Sequence, residues 1–145
     1  MLESAVVYHG VMIDGRDKND PCIFCELERP ILAESEFALA FLDSFPISKG
    51  HALVVPRRHV RTMFDTDADE YAACFGLTRE VCELLQAAHA PDGFNIGVNC
   101  EEAGGQSVWH AHIHVIPRYT GDVENPLGGV RNVIPYKDSN SNPVW

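Results

Sequence analysis

Three histidines occupy alternate positions near the C-terminal end of the sequence, in the stretch GQSVWHAHIHVIPRY. His110, His112 and His114 alternate with the apolar residues Ala111 and Ile113. Strict alternation predicts a β-strand, in which successive side chains on one face are roughly 6.5 to 7 Å apart. The pattern therefore predicts a row of three imidazoles on one face of a strand whose other face packs in the core.

Two kinds of chemistry suit such a row. Alternate histidines on a strand chelate zinc, and a catalytic zinc ion can use three of them. Alternatively, one neutral imidazole attacks an electrophile while its neighbours orient it or bind charge. The preceding loop favours the nucleophile, because Gly104 and Gly105 let the backbone approach a ligand closely. Gln106 and Ser107 add hydrogen-bond donors, so the loop is typical of a site for an anion.

A second set of candidate ligands lies near the start of the chain. Cys22 and Cys25 form a C-x-x-C pair, which is half of a tetrahedral zinc site and needs two further ligands. A redox pair would need a thioredoxin-like βαβ order of elements, which the sequence does not predict. The pair therefore predicts a structural zinc, with His51, His59 and one of the alternate histidines as candidate partners.

Two features fit either a folded core or a ligand site. Asp43 ends a predicted strand, where an acidic residue caps a turn or accepts hydrogen bonds from ribose hydroxyls. An apolar cluster nearby is more often core than a pocket for a nucleic base, and its members are Ile23, Phe24, Leu27 and Phe41.

The elements that must position these residues indicate an α+β fold with an antiparallel sheet. Asp67 followed by Glu70 is an N-cap pattern, and it begins one long helix that Pro91 and Gly93 end. A short helix is predicted from CIFCELER, ended by Pro30. Short apolar runs predict strands at 37–43, 51–56 and 93–99, before the histidine strand, and AVVYH predicts another near the start.

Bulk composition narrows the class of protein. The 145 residues are enough for one domain, and the net charge of −10 with no stripe of Lys or Arg argues against a nucleic-acid polymer as partner. The sequence shows no apolar run of roughly 20 residues and no signal peptide, which argues against a membrane. Five cysteines, an odd number, argue against a disulfide framework. We expect a cytoplasmic protein with a small ligand.

The motif HAHIHVI fits the pattern H-φ-H-φ-H-φ-φ, and with it the sequence resembles the histidine triad (HIT) family. CIFC, AFLDSFPISKGHALVVPRRH, GFNIGVN, GGQS and HVIPRY also occur in the family's order, over about residues 20–120. The tail GDVENPLGGVRNVIP is similar to a bacterial and archaeal branch described as diadenosine-polyphosphate-hydrolase-like. The resemblance implies a HIT-like antiparallel sheet with one long helix and a short N-terminal helix, in a homodimer. It also implies an extension at 1–20 and a HIT domain at 21–145, with a tail from about 120.

The resemblance further implies a nucleotide hydrolase. The middle histidine, His112, would attack the α-phosphorus and form a nucleotidyl-histidine that water hydrolyses, with His114, Ser107 and His51 assisting. A structural zinc, one per chain, would be bound by Cys22, Cys25, His59 and His110, and no organic cofactor is implied. The implied nucleotide-binding residues are Ile23, Phe24, Leu27, Phe41, Asp43, Ser44, Asn99, Gly105, Gln106, Ser107, His112 and His114.

A dinucleoside polyphosphate is the expected substrate. A nucleoside 5′-phosphoramidate, transfer to an acceptor other than water, and slow nucleotide binding for regulation are the alternatives. Two departures from the family pattern concern a polyphosphate chain. Leu127 stands where that branch is expected to have Arg, and Glu101 and Glu102 place acidic groups beside the phosphate loop.

Overall fold

The computed structural model of the protein describes residues 21–134 and, for the backbone only, 6–8 and 11–13. Strand β1 (Val6–Tyr8) pairs antiparallel with β2 (Val11–Ile13), which confirms the strand predicted in AVVYH and adds its partner. The rest of the predicted extension at 1–20 and the end of the tail, 135–145, lie outside the described residues.

The centre of the fold is an antiparallel sheet of five strands in the order β3-β4-β5-β7-β6. This sheet and one long helix confirm the α+β class. The strands are β3 (Ala33–Glu34), β4 (Ala38–Leu42), β5 (Ala52–Pro56), β6 (Gly93–Val98) and β7 (Ile113–Arg118).

Helix α1 (Ala68–His89) begins at the predicted N-cap. The Asp67 carboxylate accepts a hydrogen bond from the Glu70 backbone N–H at 2.8 Å, and the Glu70 carboxylate accepts one from the Asp67 N–H at 2.9 Å. The helix ends at Ala90, whose left-handed conformation (φ 47°) stops the helical path one residue before Pro91. Among the described helices, none is long and apolar enough to cross a membrane.

The two faces of the sheet bury different clusters. Helix α1 packs its apolar side chains Leu77, Val81 and Leu85 on one face, against alanines and valines of the strands. The opposite face carries a smaller buried cluster, in which the segment that contains Ile23 and Phe24 covers the sheet. Its members are Ile23, Phe24, Phe41, Leu53 and Val55.

The short helix predicted from CIFCELER does not form. Residues 23–25 make a single turn, in which the N–H groups of Cys25 and Glu26 both donate to the Cys22 carbonyl at 3.0 and 3.1 Å. One turn fixes several dihedral angles for few hydrogen bonds, so it propagates only where further residues follow in helical conformation. The segment instead directs both cysteine side chains toward His110, as described below.

The histidine strand is shorter than the alternation predicts. Strand β7 begins at Ile113, so His114 alone of the three histidines lies within it. Pairing with β5 ends at Val54 opposite Ile113. Two residues further along β5 stands Pro56, which has no N–H to donate, and its carbonyl accepts from the His110 ring. The prediction of a continuous strand through His110 is therefore wrong.

Candidate active site and metal centre

The His110 ring has its two nitrogens in different surroundings. Its Nε2 lies 2.8 Å from the Pro56 carbonyl oxygen, which can only accept, so we assign the proton to Nε2. Nδ1 then carries a lone pair, and it faces the sulfur atoms of Cys22 and Cys25 at 3.4 and 3.5 Å. The ring is 1% exposed, so this orientation is fixed by packing.

The His112 ring has the opposite tautomer. Its Nδ1 lies 2.8 Å from the His110 carbonyl oxygen and must donate to it, which leaves the lone pair on Nε2. The ring is 4% exposed and stands edge-on to Phe24, with ring centres 5.3 Å apart. The middle histidine is thus neutral, oriented, and free at one nitrogen, as a nucleophile requires.

A chain of hydrogen bonds sets the tautomer of His114. The Ile47 N–H donates to Nδ1 of His51 at 3.2 Å, so the proton of a neutral His51 is on Nε2. That Nε2 lies 3.0 Å from Nδ1 of His114, which accepts. His114 consequently carries its proton on Nε2 and can donate it to an anion. Asp43 flanks the chain, with a carboxylate oxygen 3.6 Å from Nε2 of His51.

Burial keeps these rings neutral. It lowers the pKa of His110 and of His114 to about 4, with smaller contributions from neighbouring imidazoles. Burial also lowers the pKa of His112, partly offset by the hydrogen bond to the His110 carbonyl and then by the Asp43 carboxylate, and it lowers the pKa of His51, partly offset by Asp43. At neutral pH the free Nε2 of His112 is therefore unprotonated.

A pocket of about 430 Å³ opens beside His114. It brings together four of the predicted site residues, Asp43, His51, Asn99 and His114. The C-terminal 3₁₀ helix Gly129–Val133 forms one wall. Most of the remaining lining is apolar, and its members are Phe45, Ile47, Asn95, Ile96, Gly97, Ile116, Gly129, Val130 and Val133.

The predicted nucleoside-binding residues are placed in two ways. Phe41 is fully buried, and Ile23 and Phe24 are 9% and 6% exposed, so these three belong to the packed cluster behind His112. Leu27 is half-buried beside them, and Ser44 is exposed. The structure thus places the apolar set as a core that supports the histidine, and its contact with a base stays a prediction.

The predicted phosphate loop is held by its own hydrogen bonds. Gly105 is in a left-handed conformation (φ 84°) and, like Ser107, is exposed. Gln106 is 6% exposed. Its side-chain N–H groups donate to the carbonyls of Arg61 and Val108 at 2.6 and 3.0 Å. Its predicted contact with phosphate is untested, and its side chain binds the loop backbone.

We call Cys22, Cys25, His59 and His110 the cysteine cluster, and their ligand atoms lie within 4.8 Å of one another. Nδ1 of His59 is 3.3 Å from the Cys25 sulfur. A tetrahedral zinc ion with two sulfur and two nitrogen ligands requires S to N separations of roughly 3.6 Å. Burial and the neighbouring Cys22 raise the pKa of Cys25 to about 11, so a nearby cation would favour the Cys25 thiolate over the thiol. The residues present fit zinc.

A second group, the aspartate cluster of Asp43, His51 and His114, has ligand atoms equally close together. Its hydrogen bonds place a proton on the nitrogen of His51 that faces the cluster. A metal there would have to displace that proton and break the bond from the Ile47 N–H. The arrangement therefore suits a hydrogen-bond relay better than a metal.

Sequence reasoning missed the contributions of the backbone. The Pro56 carbonyl and the Ile47 N–H assign two tautomers, and no side-chain pattern reveals them. It also missed Arg61, which binds Glu101 across 40 positions of sequence. The only signal in the sequence was the acidic Glu101 three positions before the glycine pair, and that signal does not identify its partner.

A five-stranded antiparallel sheet, with three alternate histidines at and just before the start of strand β7, is the arrangement expected of a histidine-triad protein. Residues 25–121 match the model of the HIT domain, and the chain belongs to the HIT family. A HIT-like protein of Mycoplasma pneumoniae is 38% identical over 120 residues, which are 79% of this chain and 81% of that protein. Adenylylsulfatase HINT3 of Arabidopsis thaliana is 36% identical over 110 residues, which are 72% of this chain and 55% of that protein.

Solved structures agree on the fold. A HIT family protein from Bacillus anthracis has a TM-score of 0.67 at 35% identity, covering 71% of this chain and 77% of that one. A zinc-bound histidine triad family protein from Mycobacterium smegmatis has a TM-score of 0.63 at 33% identity, covering 70% and 77%. The family comprises nucleotide-binding hydrolases and transferases, and that class includes this chain.

Proposed function

We propose that the protein hydrolyses an AMP-containing nucleotide at its α-phosphorus, with Nε2 of His112 as the nucleophile. The observation that carries the proposal is the 2.8 Å bond from Nδ1 of His112 to the His110 carbonyl, which leaves Nε2 with a lone pair in a neutral, buried ring. The same bond stabilises the positive charge that the ring acquires when Nε2 bonds to phosphorus.

The proposed reaction has two steps. In the first, the Nε2 lone pair forms a bond to phosphorus, and the bond from phosphorus to the leaving group breaks. The Ser107 hydroxyl assists the departing atom, and Nε2–H of His114 donates to a phosphoryl oxygen. In the second step, water attacks the same phosphorus and loses a proton, the bond from phosphorus to Nε2 breaks, and AMP leaves with His112 in its neutral state. Asn99 and the Gly105 backbone are the further proposed phosphate contacts, and Asp43 the ribose contact.

The proposed substrate is a dinucleoside polyphosphate, as the resemblance of the tail to the polyphosphate-hydrolase branch suggests. A specific observation favours a second candidate, a nucleoside 5′-phosphoramidate. Within the described part of the chain, the pocket beside His114 has no Lys or Arg in its lining, and Asp43 is there instead. This part of the site therefore supplies no cation to bind a chain of phosphates, which a phosphoramidate does not need. Adenylyl sulfate is a third compound to assay, because of the Arabidopsis thaliana relative.

The test is product analysis with diadenosine tetraphosphate, adenosine 5′-phosphoramidate and adenylyl sulfate supplied separately. We expect AMP from at least one of them, a nucleotidyl adduct detectable by mass in acid-free quench, and a loss of at least about 10³-fold in turnover for His112→Asn. Wild-type rates in His112→Asn would refute the mechanism. Binding of all three without turnover would favour a regulatory role instead.

We further propose a structural zinc, one per chain, bound by the cysteine cluster. All four positions of a tetrahedral ion are supplied by protein groups, so the metal would stabilise and would not carry a reactive water. Its effect would be to hold the N-terminal turn against His110 and to orient the His110 carbonyl that binds His112. The zinc-bound relative supports this proposal. No organic cofactor is proposed.

A homodimer is the proposed assembly. Strand β6 lies at the edge of the sheet, and no strand of the described residues pairs with its outer side. Ile96 on this strand is 42% exposed, which suits burial against a second copy. Sedimentation at micromolar concentration tests the proposal, and a monomer would refute it. None of the five cysteines forms a disulfide in the structure, and a cytoplasmic location is proposed.

A further inference from the structure

The loop that carries Gly105 and Ser107 is organised around the backbone of Glu101. The Glu101 carbonyl accepts hydrogen bonds from the N–H groups of Gly104 and Gln106, both at 3.1 Å. The Glu101 N–H donates to the side-chain oxygen of Gln106 at 2.9 Å. The path of the whole loop therefore depends on the conformation of this one residue.

That conformation is unfavourable for glutamate. Glu101 has φ 63° and ψ 174°, a region that is essentially reserved for glycine, because a Cβ atom there crowds the backbone. A non-glycine residue keeps such a conformation only where its surroundings impose it. Hydrogen bonds within the loop hold the Glu101 backbone, and its side chain is bound from outside the loop.

Arg61 is the residue that binds this side chain. Its guanidinium binds the Glu101 carboxylate through two nitrogens, with the shortest separation 2.6 Å from Nη2 to Oε2 and two further ones of 3.1 Å. The same guanidinium lies over the Trp109 ring, 4.2 Å from its centre. The Arg61 carbonyl accepts from the Gln106 side chain at 2.6 Å, so both ends of the loop are bound to this residue.

We propose that Arg61 is a positioning residue for the reaction: by clamping Glu101 in a glycine-like conformation, it holds Gly105 and Ser107 where the phosphoryl group and the leaving group react. This rests on the proposed function of the loop. The proposal also explains why an acidic residue lies beside an anion site. The charge of Glu101 is paired with Arg61, and the Glu101 backbone shapes the loop.

The test compares Arg61→Met with Arg57→Met, using diadenosine tetraphosphate and adenosine 5′-phosphoramidate as substrates. Arg57 is the matched control. Its guanidinium also binds an exposed glutamate, with Nη2 2.6 Å from Oε2 of Glu34, and neither residue belongs to the loop. We expect Arg61→Met to lower kcat about tenfold with KM changed by less than about threefold, since the loop groups act mainly on the charge that develops in the transition state. Arg57→Met should stay within about twofold of the wild type.

A second substitution separates loop geometry from loss of charge. Glycine adopts the observed conformation without a clamp, so adding Glu101→Gly to Arg61→Met should restore kcat to within about threefold of the wild type. Removal of the unpaired charge alone would restore kcat equally well with Glu101→Gln in the Arg61→Met background, whereas the clamp predicts that only Glu101→Gly restores it. If Arg61→Met does not fold, Glu101→Gln, which removes the charge pair and keeps a side chain, should show the same loss of kcat.

Amide hydrogen exchange keeps the inference distinct from the proposed function. The Gly104 and Gln106 amides should exchange faster in Arg61→Met than in Arg57→Met, whether or not any nucleotide is cleaved. Equal exchange, wild-type kcat in Arg61→Met, or failure of Glu101→Gly to rescue would each overturn the inference. Absence of turnover in the wild-type protein with faster exchange in Arg61→Met would refute the proposed function and leave the clamp supported.

Discussion

The cysteine cluster and the aspartate cluster contain similar side chains, each with ligand atoms within 4.8 Å of one another. Composition separates them only in part, because both include imidazoles from the same histidine triad. The decisive difference is the hydrogen bond made by the other nitrogen of each ring. The Pro56 carbonyl accepts from His110 and leaves a lone pair facing the cysteines. The Ile47 N–H donates to His51 and leaves a proton facing His114.

Proximity of ligand atoms is therefore a poor guide to a metal site on its own. A carbonyl behind a histidine prepares the ring to bind a cation, and an N–H behind it prepares the ring to donate a proton. On this basis we propose that one cluster stabilises the protein through a metal, and that the other sets the tautomer of a ring in the candidate active site. The two roles lie at the two ends of one segment, with the proposed nucleophile His112 between them.

The largest expected effect is the loss of the cysteine cluster. Cys25→Ser should abolish tight zinc binding, because a hydroxyl is a poor zinc ligand and the site has no spare donor. Binding of a structural metal contributes to folding directly, so we expect the midpoint of thermal unfolding to fall by about 10 °C or more. Metal analysis and calorimetry measure both quantities. Cys100→Ser, at a half-buried cysteine outside the cluster, is the control and should retain about one zinc per chain. Metal-free wild-type protein of unchanged stability would contradict the assignment.

A smaller effect, on catalysis alone, is expected from the aspartate cluster. His51→Ala removes the donor that places the proton of His114 on Nε2, so the His114 ring can take the wrong tautomer and loses its orientation. We expect kcat/KM to fall by about 10- to 100-fold with zinc content unchanged. His51→Gln retains an amide N–H and should recover part of the loss. A fall in zinc content in His51→Ala would show that the two clusters are not independent.

Sequence predicted the elements better than the bonds between them. The strands around 37–43, 51–56 and 93–99 and the helix start at Asp67 follow from local patterns of apolar residues and capping, which the structure reproduces. The cysteine half of the cluster was predictable because C-x-x-C is a common zinc-binding spacing, whereas His59 and His110 were implied only by the resemblance to the HIT family. The start of β7 was not, because it depends on Pro56, which is distant in sequence. The tautomers of His110 and His51 could not be predicted from the sequence for the same reason, since backbone groups of other segments determine them.

Acid should lower the folding stability of the protein by a moderate amount, through His114 of the aspartate cluster. The pKa of His114 is lowered to about 4 in the folded protein, against an unfolded value of 6.5, so the unfolded chain binds more protons between these values. Folding stability therefore falls as pH falls from about 6.5 to 4. The full difference corresponds to at most about 3 kcal/mol, or about 2 kcal/mol once partial exposure is allowed for.

Urea unfolding at pH 7, 5.5 and 4.5 measures this dependence, and His114→Asn is the variant for comparison. Removal of the ring should make the stability of the variant fall less steeply over this range than that of the wild type. Identical slopes would mean that His114 is not held neutral by the fold. Above about pH 7.5 the stability of both proteins should change little, because His114 is then unprotonated in the folded and in the unfolded state.

The smallest expected effect is the one that separates the clusters most sharply. Excess zinc should add no second tightly bound ion, because metal at Nε2 of His51 would displace a proton and break the bond from the Ile47 N–H. We expect one zinc per chain after dialysis against micromolar zinc, and Asp43→Asn should leave that number unchanged. A second equivalent that disappears in Asp43→Asn would show that the hydrogen bond behind His51 does not decide between relay and metal site. One equivalent in both proteins, with none in Cys25→Ser, would show that it does.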